Sequence, residues 1–135
     1  ILRLFKQLRQ DLGVAIVLIS HDFGVVAEVC ERTLVMYAGR AAELGPTQTL
    51  LEQPAHPYSR ALVGARPDLS APVDRPLVTL PGQPPDLSAL PPGRAVAPRG
   101  QWAEADTGTS AVPALRMLGT GRSAACARVE AVARA

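Results

Sequence analysis

Aromatic residues are scarce: two Phe, two Tyr and one Trp make up 4% of 135 residues. With so few rings and 13 prolines, one core running the length of the chain is not expected, and part of it should be irregular. Cysteine is nearly missing. Cys30 and Cys126 lie far apart in a sequence with no signal-peptide pattern, which speaks against a disulfide framework and for a reducing cytosolic compartment. Excess charge of one sign is also lacking, since 14 basic and 12 acidic residues leave a net +2. No strong field draws the chain to nucleic acid or anionic lipid, and nucleic-acid binding is set aside. The longest apolar run, Val14 to Ile19, is about a strand's length and far short of the ~20 residues of a spanning helix. Any membrane contact is expected through a partner.

What is present begins with an amphipathic pattern. Ile1, Leu2, Leu4, Phe5, Leu8 and Leu12 recur at three- and four-residue spacing, with Arg3, Lys6, Gln7, Arg9 and Gln10 on the other face. A helix follows, and Gly13 is its natural stop. The first residue, Ile1, already sits inside this pattern, so the chain is expected to be a fragment. Val14-Ala15-Ile16-Val17-Leu18-Ile19 is apolar without alternation, as in a strand covered on both faces in a parallel sheet. The expected fold class is therefore α/β. Asp22 should cap a short helix through Phe23, Val25, Val26 and Val29. Arg32 to Tyr37 reads as a strand, turned by Ala38-Gly39-Arg40 into Ala41 to Leu44 as a hairpin. Thr47 should cap a helix through Leu50 and Leu51 that Pro54 ends, and one more helix is expected from Pro57 through Val63.

Nine of the 13 prolines fall between Pro67 and Pro98, which excludes long helices and central strands there. Two regions are expected: residues 1–66, and a Pro-rich, partly irregular extension over 67–135. Within the second, Leu77 to Leu80 could form a short strand with Pro81-Gly82 as its turn. Ala124 to Ala135 could form a weak terminal helix.

His21 is the informative residue for chemistry. It stands at the end of the apolar segment and just before a helix, where open α/β sheets place ligand-binding groups. A lone histidine is usually structural, but the surrounding run is distinctive. Ile16-Val17-Leu18-Ile19-Ser20-His21-Asp22-Phe23-Gly24-Val25-Val26, then Cys30-Glu31-Arg32, Val35-Met36-Tyr37-Ala38-Gly39-Arg40 and Glu43-Leu44-Gly45, resembles the switch-histidine region of ABC transporter ATPases. Pro54-Ala55-His56-Pro57-Tyr58-Ser59-Arg60-Ala61-Leu62, Leu80-Pro81-Gly82-Gln83-Pro84-Pro85 and Leu90-Pro91-Pro92-Gly93 are similar to the C-terminal extension of the oligopeptide, dipeptide and nickel importer branch.

The resemblance implies a partial ABC nucleotide-binding domain over 1–66, the H-loop strand-helix-strand region, followed by the branch's extension. It implies that the intact protein uses ATP and Mg2+ to import peptides or related small solutes. It would work with transmembrane permease subunits and a second ATP-binding subunit, peripherally on the cytoplasmic face of the inner membrane. His21 is then the expected catalytic residue, meeting the γ-phosphate and holding the attacking water, because phosphoryl transfer is accelerated by positioning and charge stabilisation. The phosphate-cradling pattern G-x-x-x-x-G-K-[ST] occurs nowhere in the sequence. The resemblance places that loop, the signature motif and the magnesium-binding acidic strand before Ile1, so this chain should lack a complete site. The alternative is a non-catalytic interaction or regulatory remnant without ATPase activity.

Members of the branch commonly carry cysteines thought to hold an iron-sulfur cluster. Here Gly93-Arg94-Ala95-Val96-Ala97-Pro98-Arg99-Gly100 keeps the frame, but Arg94 and Gly100 stand where cysteines would be, and only Cys126 matches a ligand position. No cluster is expected. Ser20, His21 and Asp22 spell a hydrolase triad only superficially, since neighbours on an extended segment point to opposite faces. His56 is expected as a cap or packing residue in a His-Pro-Tyr turn, Arg40 as a solvated turn charge, and Cys30 as a small buried hydrophobe.

Overall fold

The computed structural model describes residues 1–65, 82–90, 93, 112–119 and 121–126. Helix α1, Leu2–Leu12, ends at Gly13, whose φ of 62° is the left-handed conformation a side chain disfavours. Helix α2, Phe23–Val29, starts at Asp22, whose Oδ1 accepts the Gly24 N–H at 2.7 Å and the Val25 N–H at 3.3 Å. Strands β1, Arg32–Tyr37, and β2, Arg40–Pro46, form an antiparallel hairpin. Its two-residue loop has positive φ at both positions, 50° at Ala38 and 74° at Gly39, the turn that matches the natural strand twist. Helices α3, Thr47–Glu52, and α4, Pro57–Gly64, follow.

Two short strands near the end of the chain, β3 (Arg116–Gly119) and β4 (Arg122–Ala124), extend the sheet to the order β1-β2-β4-β3. Glu43 pairs with Ala124 and Leu44 with Ser123, and the Ala125 N–H reaches the Ala42 carbonyl at 2.8 Å. The core is small. Val35, Ala42 and Leu50 are buried together, with Phe23, Tyr58 and Leu62 packed against them. The rings of Tyr37 and Tyr58 meet at 4.4 Å between centroids, tying β1 to α4.

The fold is thus mixed helix and sheet, as expected, but five expectations need correction. Val14–Ile19 is not a strand: the segment has no regular structure, and Val17 and Ile19 are 90% and 94% exposed. A strand exists only through neighbours that take its N–H and C=O groups, and none of the four strands pairs with this segment. For the same reason every pairing among the described residues is antiparallel, not parallel. Thr47 does not cap α3. It is the first helical residue after Pro46, and its hydroxyl bonds the Thr33 hydroxyl at 2.8 Å, pinning α3 to β1. Cys30 is half-buried at the end of α2, not buried. Of the expected terminal helix, Ala124 instead ends β4 and Ala125 and Cys126 are not helical, while 127–135 lie outside the described residues. The expected Leu77–Leu80 strand lies outside them as well.

The candidate functional site around His21

Local forces hold the His21 segment in place. The Asp22 N–H donates to Ser20 Oγ at 3.0 Å, and the Asp22 carboxylate is committed to the first turn of α2, so His21 is bracketed by a small turn. Asp22 therefore cannot orient the imidazole as a triad would require. His21 is itself exposed and has no hydrogen-bond partner among the described residues. Helix α2 carries the turn, anchored by Val26, its single buried residue. It also faces α1, where Lys6 Nζ lies 3.3 Å from Glu28 Oε1, while Arg9 of α1 lies 2.9 Å from Glu31 just beyond α2. Both pairs are well exposed, which limits each to at most about 1 kcal/mol. The Glu31 carbonyl accepts the Thr47 N–H at 2.9 Å, coupling the end of α2 to the start of α3.

His21 lines an open cavity of about 820 Å³, together with Ile16, Leu18, Phe23, Val35 and Leu62 among others. The wall is mostly aliphatic. An imidazole there can donate to and accept from an oxygen-rich ligand, and the cations that share the lining, Lys6, Arg9 and Arg32, stand on α1 and β1 rather than in a loop. Lys6 of α1, the single lysine in the sequence, is engaged with Glu28 of α2. The described residues do not make a complete nucleotide or magnesium site. Among the described residues, no three of His, Cys, Asp and Glu are grouped so as to hold a metal ion. Arg94 and Gly100 lie outside the described residues, and Cys126 is buried, 2% exposed, beyond β4.

His56 behaves as expected. It is buried, is the N-cap of α4, and accepts the Tyr58 N–H on Nδ1 at 3.1 Å, with Pro57 at the first helical position. Arg40 is exposed, as expected for a turn charge, although its guanidinium also reaches the Gly93 carbonyl at 3.4 Å. Sequence reasoning gave no role to Glu43, which is fully buried. Its Oε1 accepts the Ala55 N–H at 2.9 Å and Arg122 at 2.9 Å, and its Oε2 accepts the His56 N–H at 2.9 Å. Arg122 donates as well to the Gln53 carbonyl at the end of α3. The one signal in the sequence is an acidic residue inside the apolar stretch Ala41 to Leu44. Its partner lies 79 residues away.

Comparison with known proteins places these observations. The family described as "Oligopeptide/dipeptide transporter, C-terminal region" matches residues 42–105, which begin at the buried Ala42-Glu43 pair of β2. The putative peptide import ATP-binding protein of Brucella abortus (strain 2308) is 41% identical over 126 residues, 93% of this chain and 37% of that protein. Over residues 42–105 the chain is thus similar to the C-terminal region of oligopeptide/dipeptide transporters. The oligopeptide transport ATP-binding protein OppD of Salmonella typhimurium is 40% identical over 93% of this chain and 37% of its own length. The dipeptide transport ATP-binding protein DppD of Bacillus subtilis is 45% identical over 69% of this chain and 28% of its own length. The chain therefore spans about a third of the length of the curated relatives it matches. The 126-residue matches leave at most nine residues uncovered, so His21 and Asp22 fall inside them.

Proposed function

We propose that the chain is the C-terminal part of the ATP-binding subunit of an ABC importer, and that the whole protein hydrolyses ATP to drive uptake of peptides or related small solutes. The observation that carries this reading is the identity of about 40% with peptide-import ATP-binding proteins across nearly the whole chain, the His21 turn included. The relatives are ATP-binding proteins by name, which favours this reading over a non-catalytic remnant. No described helix is long and apolar enough to cross a membrane. In this reading, which rests on the likeness to peptide-import ATP-binding proteins, the protein works peripherally, on the cytoplasmic face of the inner membrane, against transmembrane permease subunits and a second ATP-binding subunit.

In this reading His21 is the switch histidine. Its exposed imidazole, presented by a capped turn and with no hydrogen-bond partner among the described residues, is disposed to meet the γ-phosphate of MgATP bound elsewhere in the assembled protein and to orient the attacking water. Phosphoryl transfer asks little more of a side chain than position and a hydrogen bond to developing charge. The phosphate-cradling loop and the magnesium ligands come from the remainder of the protein. Residues 67–135 supply the extension typical of the branch. The test is reconstitution of the whole protein with its membrane subunits in lipid vesicles, followed by MgATP-dependent uptake of labelled di- and oligopeptides. Uptake with phosphate release is expected, and a complex that releases no phosphate above background would overturn the reading.

A further inference from the structure

We infer that Glu43 and Arg122 form a latch that makes seating of the C-terminal strands and closure of the α3–α4 junction a single event. Glu43 is a fully buried carboxylate on β2. On one side it receives the Ala55 and His56 N–H groups, which lie at the start of α4. On the other it receives Arg122 of β4 through two guanidinium nitrogens, at 2.9 and 3.3 Å. Arg122 in turn donates to the Gln53 carbonyl at the end of α3. One ion pair thus touches three separate stretches of chain: the hairpin, the loop between two helices and the C-terminal strands. The backbone is shaped to admit it. A Cβ at Gly45 would stand 3.2 Å from Arg122 Cγ, so the bare glycine leaves the arginine stem room to cross β2.

The rest of the hold on β4 is thin. Among the described residues it includes two residue pairs, the Ala125 N–H and an exposed Arg32 guanidinium on the Gly121 carbonyl, and Ser123, Ala124 and Cys126 are all buried by the docking. Taking either charge away leaves the other in the interior without its partner, which is far costlier than losing an exposed pair. If β4 lifts, Glu43 is opened to water, and its grip on Ala55 and His56 weakens with it. The start of α4 and the C-terminal strands therefore open together.

Hydrogen exchange in the full chain tests this with Arg122→Gln, using Arg32→Gln as the control that loses only an exposed bond. Exchange in Arg122→Gln should accelerate by about tenfold or more both at Ala124–Cys126 and at Ala55–Tyr58, while Arg32→Gln leaves Ala55–Tyr58 unchanged. Acceleration confined to Ala124–Cys126, or none at either place, would overturn the latch. Should Arg122→Gln exchange throughout the chain as an unfolded protein does, Gly45→Ala decides. It keeps both charges and only displaces the arginine stem, so parallel acceleration of the two segments supports the coupling and acceleration of one alone refutes it.

Discussion

Replacing Glu43 by Gln keeps the size and shape of the side chain and changes only what it can accept. The carboxylate uses both oxygens: Oε1 faces Ala55 N–H and Arg122, and Oε2 faces Ala55 and His56 N–H. An amide must turn its NH2 toward one of these sides, and both sides present donors. Whichever way it flips, at least one charge-strengthened bond becomes a donor facing a donor, in a site with no exposure to water. A hydrogen bond to a charged group contributes about 1.5–3 kcal/mol, and a buried ion pair broken from one side costs about 3–5 kcal/mol. Because the guanidinium of Arg122 is still partly reached by water and keeps the Gln53 carbonyl, the expected loss is near the lower figure, about 3 kcal/mol. Urea denaturation of the full chain followed by circular dichroism measures it, with the midpoint falling and the slope unchanged. A loss below about 0.5 kcal/mol, the range of an ordinary surface substitution, would show that the Glu43 network does not support the fold.

Three further outcomes are expected. Asp22→Ala removes the cap of α2 and should lower stability by about 1 kcal/mol, with faster amide exchange at Gly24 and Val25, whereas Asp22→Asn should retain most of it. Ala38 holds a left-handed φ of 50°, so Ala38→Asn should raise stability by up to about 1 kcal/mol in the same denaturation assay; a fall would mean that the turn does not have this geometry. The Ser88 hydroxyl and N–H both donate to Asp86, holding its carboxyl below the ordinary value of 3.8. A depressed folded value contributes stability present above pH 3.8 and lost as pH falls through the lower one. An NMR titration should therefore place Asp86 below 3.8, and Ser88→Ala should move it back up.

The elements legible in the sequence are those whose causes are local. The three- and four-residue spacing of α1 with Gly13, the Asp22 cap, the Ala38-Gly39 turn and the His56-Pro57 start of α4 each depend on residues a few positions apart, and each is present as read. Val14–Ile19 failed because a continuous apolar run reports what should cover it, and coverage is supplied by neighbouring strands that the segment does not have here. The Glu43 site was hidden for two reasons. Its counter-charge comes from Arg122, 79 residues away. In addition, the hairpin register slips by one residue opposite Val35 and Met36, leaving Ala42 as the extra residue. That bulge breaks strand alternation, so the consecutive Ala42 and Glu43 are both buried where a period of two would expose one. For His21 the sequence pointed to the residue, and the structure shows it exposed on a capped turn beside an open cavity.

The role proposed for that imidazole is tested by ATP turnover of the whole protein carrying His21→Ala. A group that acts mainly in the transition state is read in the catalytic rate, while nucleotide affinity rests on the phosphate-cradling loop, which the substitution leaves untouched. The ATPase rate is expected to fall by about 10²-fold or more while MgATP affinity changes far less. His56→Ala, which alters a buried cap at the start of α4, is the control, and in a folded protein it should spare the chemical step. Near wild-type turnover in His21→Ala, alongside abolished turnover in a folded His56→Ala protein, would contradict the assignment.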